Sequence, residues 1–391
     1  MVRKHESDDL SQAEALDRLR LARAEGVGPV AYRRLLSRYR SVSAALEALP
    51  GLARAGGRQT PPAIPSTDDA AREMTAVQRL GGRFIFAGQP EYPPLLALLD
   101  DAPAAMAVLG DPALLAARAV SLVGGRNASA NGQRMAEELA ADLAQAVVVV
   151  SGLARGIDAA AHAGALRTGR TVAAVAGGLD MPYPPEHADL QRRIAEAGAV
   201  VSEAPLGTAP QARHFPRRNR IIAGLSLGVV VVEAALRSGS LITARLAQEA
   251  GRELFAVPGS PLDPRSRGAN DLIRQGAHLT ETAADVLENL PDHPQREGLS
   301  RSPLFARGAV TGAAEPPPEW QEPPEESVDL LKARMQVIDL LGSSPTAVDD
   351  IVRRCQFSAA AVMAVLLELE LAGRIQTLPG SRVALLLEAG S

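Results

Sequence analysis

The chain has 391 residues, enough for two or three domains, and its 46% hydrophobic and 22% charged residues suffice for a sizeable core. A net charge of −4 excludes a protein that coats nucleic acid through general basicity, and the single cysteine, Cys355, excludes an internal disulfide and any multi-cysteine metal site. No run reaches the roughly 18 apolar residues of a membrane span and the N-terminus lacks a secretory pattern, so the expectation is a soluble, cytoplasmic protein.

Residues 1–10 are polar and predict disorder. From Leu16 to Leu49 apolar residues recur at helical spacing, broken by Gly26-Val27-Gly28-Pro29. A glycine-bracketed turn between helices is similar to a helix-hairpin-helix (or SAM-like) module. Its backbone N–H groups either meet a phosphate or simply join two helices, and the structural reading is favoured. Residues 1–66 are thus a helical module with a Gly/Pro-rich linker.

Over 67–290 the pattern alternates. Apolar runs at Arg83–Ala87, Ala119–Gly124, Val147–Gly152, Thr171–Gly177, Ala199–Glu203, Leu227–Glu233 and Glu253–Pro258 predict strands. Helices are predicted at Asn131–Gln145, Asp158–Arg167, Leu190–Ala197, Phe215–Leu225 and Leu241–Gly251. Val147–Val150 and Val229–Val232 contain no polar residue, as in strands buried on both faces. The fold class is α/β, a Rossmann-like, doubly wound, mostly parallel sheet.

Residues 291–327 hold eight of the 29 prolines and predict a flexible linker. Beyond it, over 328–391, Leu330–Leu341, Ala347–Arg354 and Ser358–Leu371 predict three helices. Strands at Arg374–Leu378 and Arg382–Leu387 complete a winged-helix module. Its third helix has two acids and no base, so it is not expected to read a duplex groove, although Arg353, Arg354, Arg374 and Arg382 could touch backbone. A role in protein contact or regulation is favoured.

Ligands of an open parallel sheet bind beyond the carboxyl ends of its strands. Here the strands empty into Gly124-Gly125-Arg126-Asn127, Ser151–Asp158 (with Gly152, Arg155 and Gly156), Gly177–Asp180, Ser202–Pro205, Glu233–Ser240 and Pro258-Gly259-Ser260. Glycine and serine at such turns bare backbone N–H groups at a helix start, where the dipole favours an anion. Ser238, Gly239, Ser240 and Thr243 open a helix in this way, and Arg126 and Arg155 add fork-shaped donors.

Between Glu203 and Glu233 no acidic residue occurs, while Arg213, Arg217, Arg218 and Arg220 fall within eight positions, with Asn219 among them. Such a cluster is either a solvated helix face or part of the same rim. No Gly-x-Gly-x-x-Gly and no P-loop occurs, so the phosphates belong to a chain rather than to a nucleotide cofactor, and no cofactor is expected. His187 and His214 lack partners at metal spacing, and no metal is expected either. Phe215 is placed in core packing, with stacking on a base as the alternative, and His162 in packing or capping.

These motifs, with Tyr183-Pro184, Phe215-Pro216-x-Arg218-Asn219-Arg220-Ile221-Ile222-Ala223-Gly224-Leu225-Ser226 and Tyr92-Pro93-Pro94-Leu95-Leu96, resemble the DprA (DNA-processing, Smf) family in consistent order over about 80–280. The resemblance implies a non-enzymatic protein that binds single-stranded DNA, displaces single-strand-binding protein, recruits the RecA recombinase, forms a homodimer through the Rossmann-like domain and serves natural transformation. It places the family's phosphate pocket on Gly124, Gly125 and Arg126, a second basic position on Arg155, and further contacts on Arg218, Asn219, Arg220, Ser238, Ser240 and Thr243. Gly125 departs from the family's usual serine or threonine, which removes one hydroxyl donor and predicts weaker contact there.

Two rivals remain. A related Rossmann-like class cleaves N-glycosidic bonds with Pro-Gly-Gly-x-Gly-Thr-x-x-Glu, but Arg237–Ala244 lacks that glutamate. Glu203 and Glu233 are expected to pair with the rim arginines instead. A sensor of a small nucleotide is the other.

Overall fold

The computed structural model describes residues 10–39, 41–292, 327–342, 344–378 and 380–386. The polar N-terminal stretch and the proline-rich linker expected from the sequence lie, but for residues at their edges, outside these described residues. The chain divides into two compact units: the segment to Arg72 with the C-terminal segment, and the segment beginning at Glu73.

In the first unit, α1 (Gln12–Arg23), α2 (Pro29–Arg38) and α3 (Val42–Ala55) bury Leu19, Leu21, Tyr32, Leu35 and Leu49. Ser11 and Ser41 cap α1 and α3 by accepting from backbone N–H groups. The helix α4 (Thr67–Arg79) follows.

The second unit is a nine-stranded sheet with spatial order β1-β2-β6-β5-β4-β3-β7-β8-β9. The strands are β1 (Gly82–Phe86), β2 (Ala105–Gly110), β3 (Ala119–Val123), β4 (Val148–Ser151), β5 (Thr171–Ala174), β6 (Ala199–Ser202), β7 (Gly228–Val231), β8 (Glu253–Ala256) and β9 (His278–Leu279). From β6 to β9 all pairs are parallel, while β1 and β2 add an antiparallel edge. The helices are α5 (Pro94–Ala97), α6 (Ala130–Leu143), α7 (Ile157–Thr168), α8 (Ala188–Ala197), α9 (His214–Leu225), α10 (Ser240–Glu249), α11 (Arg267–Arg274) and α12 (Ala283–Asn289).

The continuous valine runs explain the layering. Val148, Val150, Val229 and Val231 pack on one side with Ile221 and Ile222 of α9 and Ala244 of α10. Val149, Val230 and Val232 pack on the other with Leu139 of α6 and Ala161 of α7. Successive side chains of a strand point to opposite faces, so a strand covered by helices on both must be apolar throughout. The seven expected strands are present; β2, β9, α5, α11 and α12 are additions.

The C-terminal module has α13 (Ser327–Leu340), α14 (Val348–Arg354) and α15 (Ala359–Leu371), with a small sheet of β10 (Thr346–Ala347), β11 (Ile375–Leu378) and β12 (Arg382–Leu385) in the order β10-β12-β11. This is a winged helix. It is not a free appendage: α15 packs against α3 and α2. A Cβ on Gly56, the C-cap of α3, would meet both the Glu368 backbone and the Ala372 side chain, so only glycine permits this approach.

The two acids of α15 face arginines of the same unit, Glu368 with Arg334 at 2.6 Å and Glu370 with Arg34 at 3.8 Å. The Gly26–Gly28 turn lies against the carboxyl end of α15, with the Leu371 carbonyl oxygen 3.1 Å from where a Gly26 Cβ would stand. Among the described residues no helix is long and apolar enough to cross a membrane.

Candidate nucleic-acid interface

The sheet changes direction between β3 and β7. After β3 the chain moves through α6 to β4 on one side, and after β7 it moves through α10 to β8 on the other. The loops leaving β3 and β7 therefore part, and a cavity of about 710 Å³ opens between them.

Glycines set the shape of its floor. The Gly125 N–H donates to the Glu233 carbonyl at 2.6 Å and ties the two loops together. Gly156 has φ +75°, and a Cβ there would collide with the carbonyl oxygens of Gly125 and Arg126. The Ile157 N–H donates to that same Gly125 carbonyl at 3.3 Å. At Gly152 a Cβ would fall inside the Arg218 guanidinium.

Arg218 lines the cavity but is itself 5% exposed. Its Nη1 donates to the Gly152 carbonyl and, at 2.6 Å, to the Ala174 carbonyl, tying α9 to the ends of β4 and β5. Burial brings its pKa down to about 10, against the favourable pull of Asp158, so it stays protonated at neutral pH. Burial likewise raises the Asp158 carboxyl, with Arg218 and Arg126 opposing.

Arg126 is exposed, stands over the Phe215 ring at 4.5 Å and forms no salt bridge among the described residues, meeting Asp158 only through the field of its charge. Tyr183 also packs against that ring, tilted, with 5.6 Å between centroids. Phe215, expected in the core, instead lines the cavity with both of them. Arg237, on the loop from β7, is likewise exposed and without a carboxylate partner among the described residues.

The start of α10 also faces the cavity through Ser238, Gly239, Ser240 and Thr243, with no acid in its first turn. The Ser238 and Ser240 hydroxyls lie 2.7 Å apart and hold each other in place. Glu233 reaches the cavity but is engaged: its carboxylate accepts from the N–H (2.9 Å) and hydroxyl (2.5 Å) of Ser129, the N-cap of α6. Arg265 stands 4.0 Å from Glu233 and is held by Asp263 at 2.8 Å.

Of the residues singled out in the sequence, the cavity thus gathers Gly124, Gly125, Arg126, Arg218, Asn219, Ser238, Gly239, Ser240 and Thr243. Gly152 and Gly156 support it from below. Four arginines lie elsewhere, among them Arg213, exposed at the N-cap of α9. Arg155 is exposed and paired with Glu186 at 2.6 Å, outside the cavity lining.

Arg217 forms a two-pronged pair with Glu203, both contacts at 3.0 Å. Arg220 does not reach the rim: it is buried, 2.6 Å from Glu203 and 3.6 Å from Asp101. Burial alone would raise the Glu203 carboxyl, but the Arg220 and Arg217 charges outweigh it and hold it below its ordinary value. An arginine three residues from another shares its helix face, and here that face meets the end of β6. Glu203 therefore pairs with arginines as expected. Glu233 is held first by a helix terminus, because Ser129 is nearer than any cation.

Arg237, Arg265 and Tyr183 were not among the expected contacts. Each follows a strand end that the sequence already marked, and that position was the available signal. Among the described residues no group of three or more His, Cys, Asp or Glu could hold a metal ion.

The model of the DNA recombination-mediator protein A family matches residues 83–291, and those of the DprA-like N-terminal HHH domain and the DprA winged helix domain match 12–76 and 318–381. The chain belongs to the DprA family. It is 42% identical over 304 residues to protein Smf of Escherichia coli, covering 75% of each chain. It is 32% identical over 386 residues to protein Smf of Synechocystis, covering 92% of this chain and 96% of that one. The X-ray structure of DNA processing protein A from Streptococcus pneumoniae superposes with a TM-score of 0.62 at 34% identity, covering 73% of this chain and all of the other. The DprA winged helix and the mostly parallel sheet of this chain are thus family features.

Proposed function

We propose that this DprA-family chain binds single-stranded DNA without regard to sequence, holding successive phosphates at the cavity between β3 and β7. One observation carries the reading: Arg126 and Arg237, two exposed guanidinium groups that form no salt bridge among the described residues, flank the acid-free start of α10. In a chain of net charge −4 such uncompensated donors attract a polyanion. Gly124, Gly125, Ser238, Gly239 and Ser240 supply backbone and hydroxyl donors beside them. Arg218 and Asn219 contribute from the buried wall, and Arg155 and Arg217 from outside, each after exchanging its carboxylate for a phosphate.

The bound strand is delivered to the RecA recombinase in natural transformation or homologous recombination, with displacement of single-strand-binding protein; the matched family's description as a recombination mediator supports this step. The Rossmann-like domain, 67–290, holds DNA and pairs two copies of the chain in the cytoplasm. The segment 1–66 and the segment 328–391, which follows the Rossmann-like domain after 291–327, serve partner contact and regulation. The role is binding rather than turnover. In support, the carboxylates at the strand ends are committed, Glu233 to the α6 terminus and Glu203 to two arginines.

Fluorescence anisotropy with single- and double-stranded oligomers at two salt concentrations tests the reading, which requires preference for the single strand. Thermal stabilisation by a mononucleotide and none by oligonucleotides would favour the sensor instead. Turnover that dies with Glu233→Gln would favour the glycosidic enzyme.

A further inference from the structure

Ten large apolar side chains stand exposed among the described residues, and they are not evenly spread. Met181, Tyr183, Leu236 and Leu262, exposed by 38, 45, 58 and 89%, lie on three loops that each supply lining residues to one cavity. Those loops follow β5, β7 and β8. Tyr183 lines the cavity directly, Leu236 sits between the lining residues Ala235 and Arg237, and Leu262 shares its loop with the lining residue Arg265. The loops after β7 and β8 approach each other, with Arg265 standing 4.0 Å from Glu233, and the Gly268 N–H at the start of α11 donates to the Ala234 carbonyl at 2.7 Å.

A single exposed leucine carries no message, but several gathered beside uncompensated cations do. A cationic cavity with an apolar edge matches a ligand that is anionic along one side and apolar along the other. A single nucleic-acid strand is such a ligand, because its base faces are free, whereas a duplex stacks those faces inside and offers only phosphate and groove. Only Phe215 and Tyr183 among the lining residues are aromatic, so most of the base contact falls to aliphatic groups. Leucine serves this purpose elsewhere as a wedge against bases.

We propose that Leu236 and Leu262 form an apolar rim that receives nucleobases of the strand whose phosphates occupy the cavity, and that this rim sets the preference for single over double strands. The inference rests on the function proposed above and adds the base-facing half of the site.

The test uses the full chain and two probes of equal length, oligothymidine and an abasic oligonucleotide with the same backbone. Unaltered protein should bind oligothymidine more tightly than the abasic strand. The double variant Leu236→Ser, Leu262→Ser should lose about tenfold in affinity for oligothymidine, the scale of one lost base contact. It should keep its affinity for the abasic strand and its melting temperature, since both side chains are exposed. Arg126→Ala should weaken both probes alike. Equal binding of the two probes by the unaltered protein, or equal loss on both by the double serine variant, overturns the rim while leaving the phosphate site standing. Absence of binding to either probe overturns the rim and the proposed function together.

Discussion

The guanidinium of Arg218 occupies the space that a side chain on Gly152 would need, and donates to the Gly152 carbonyl. A loop glycine and a helix arginine 66 residues apart are thus one feature of the fold. Gly152→Ala forces the guanidinium off both carbonyls while leaving it buried, and an unsatisfied buried charge costs about 2 kcal/mol or more. Denaturant unfolding should show that loss, and Gly152→Ala should weaken strand binding as the cavity wall shifts.

Arg217 and Arg220 share one carboxylate but differ in exposure, 59% against 6% for their side chains. Arg220→Ala takes the buried guanidinium away from Glu203 and should destabilise by about 3 kcal/mol. Arg217→Ala removes an exposed pair and should cost under about 1 kcal/mol. Equal losses in a melting comparison would contradict the placement of Arg220.

His162 makes stability depend on pH in a defined window. The Thr171 hydroxyl donates to the Val149 carbonyl at 2.6 Å, so its oxygen accepts from His162 Nδ1–H at 2.8 Å. Nε2 is then the unprotonated nitrogen, buried with no partner among the described residues. Burial lowers the pKa from 6.5 to about 3, with Arg218 and His187 adding to the shift. The folded state therefore resists a proton that the unfolded chain accepts. The stability is full above about pH 6.5 and is lost as pH falls towards 3, by up to about 1.4 kcal/mol per pH unit. His162→Gln should remove this component of the slope in denaturant midpoints measured between pH 7 and pH 4.5.

Gly56 offers a handle on the other unit. Its missing side chain lets α3 meet the Glu368 backbone of α15, so Gly56→Val should separate the N-terminal helices from the winged helix without touching either core. Limited proteolysis should then cleave the variant, and not the parent chain, next to α15.

Much of this arrangement was legible in the sequence. Unbroken valine runs marked the parallel strands, and the small residues after them marked the cavity mouth. β2 was missed because Ala105-Met106-Ala107 lacks β-branched residues and its partner β1 is antiparallel, a pairing the alternating pattern does not announce. The arginine cluster was legible as charge but not as geometry. Arg217 and Arg220 share a helix face and turn to Glu203, while Arg218, a third of a turn away, goes under the site. The apolar Leu236 and Leu262 carried no signal, since exposure is set by the loop and not by residue type.

In the proposed function, arginines free of salt bridges at the switch point between β3 and β7 bind the phosphate backbone. The most direct measurement is the salt dependence of single-strand affinity for the parent chain, Arg126→Ala, Arg237→Ala and their combination. Each substitution should weaken binding about tenfold at low salt and lower the slope of log affinity against log salt by about one, without changing melting temperature. A combined variant that binds with the parent's affinity and slope would contradict it.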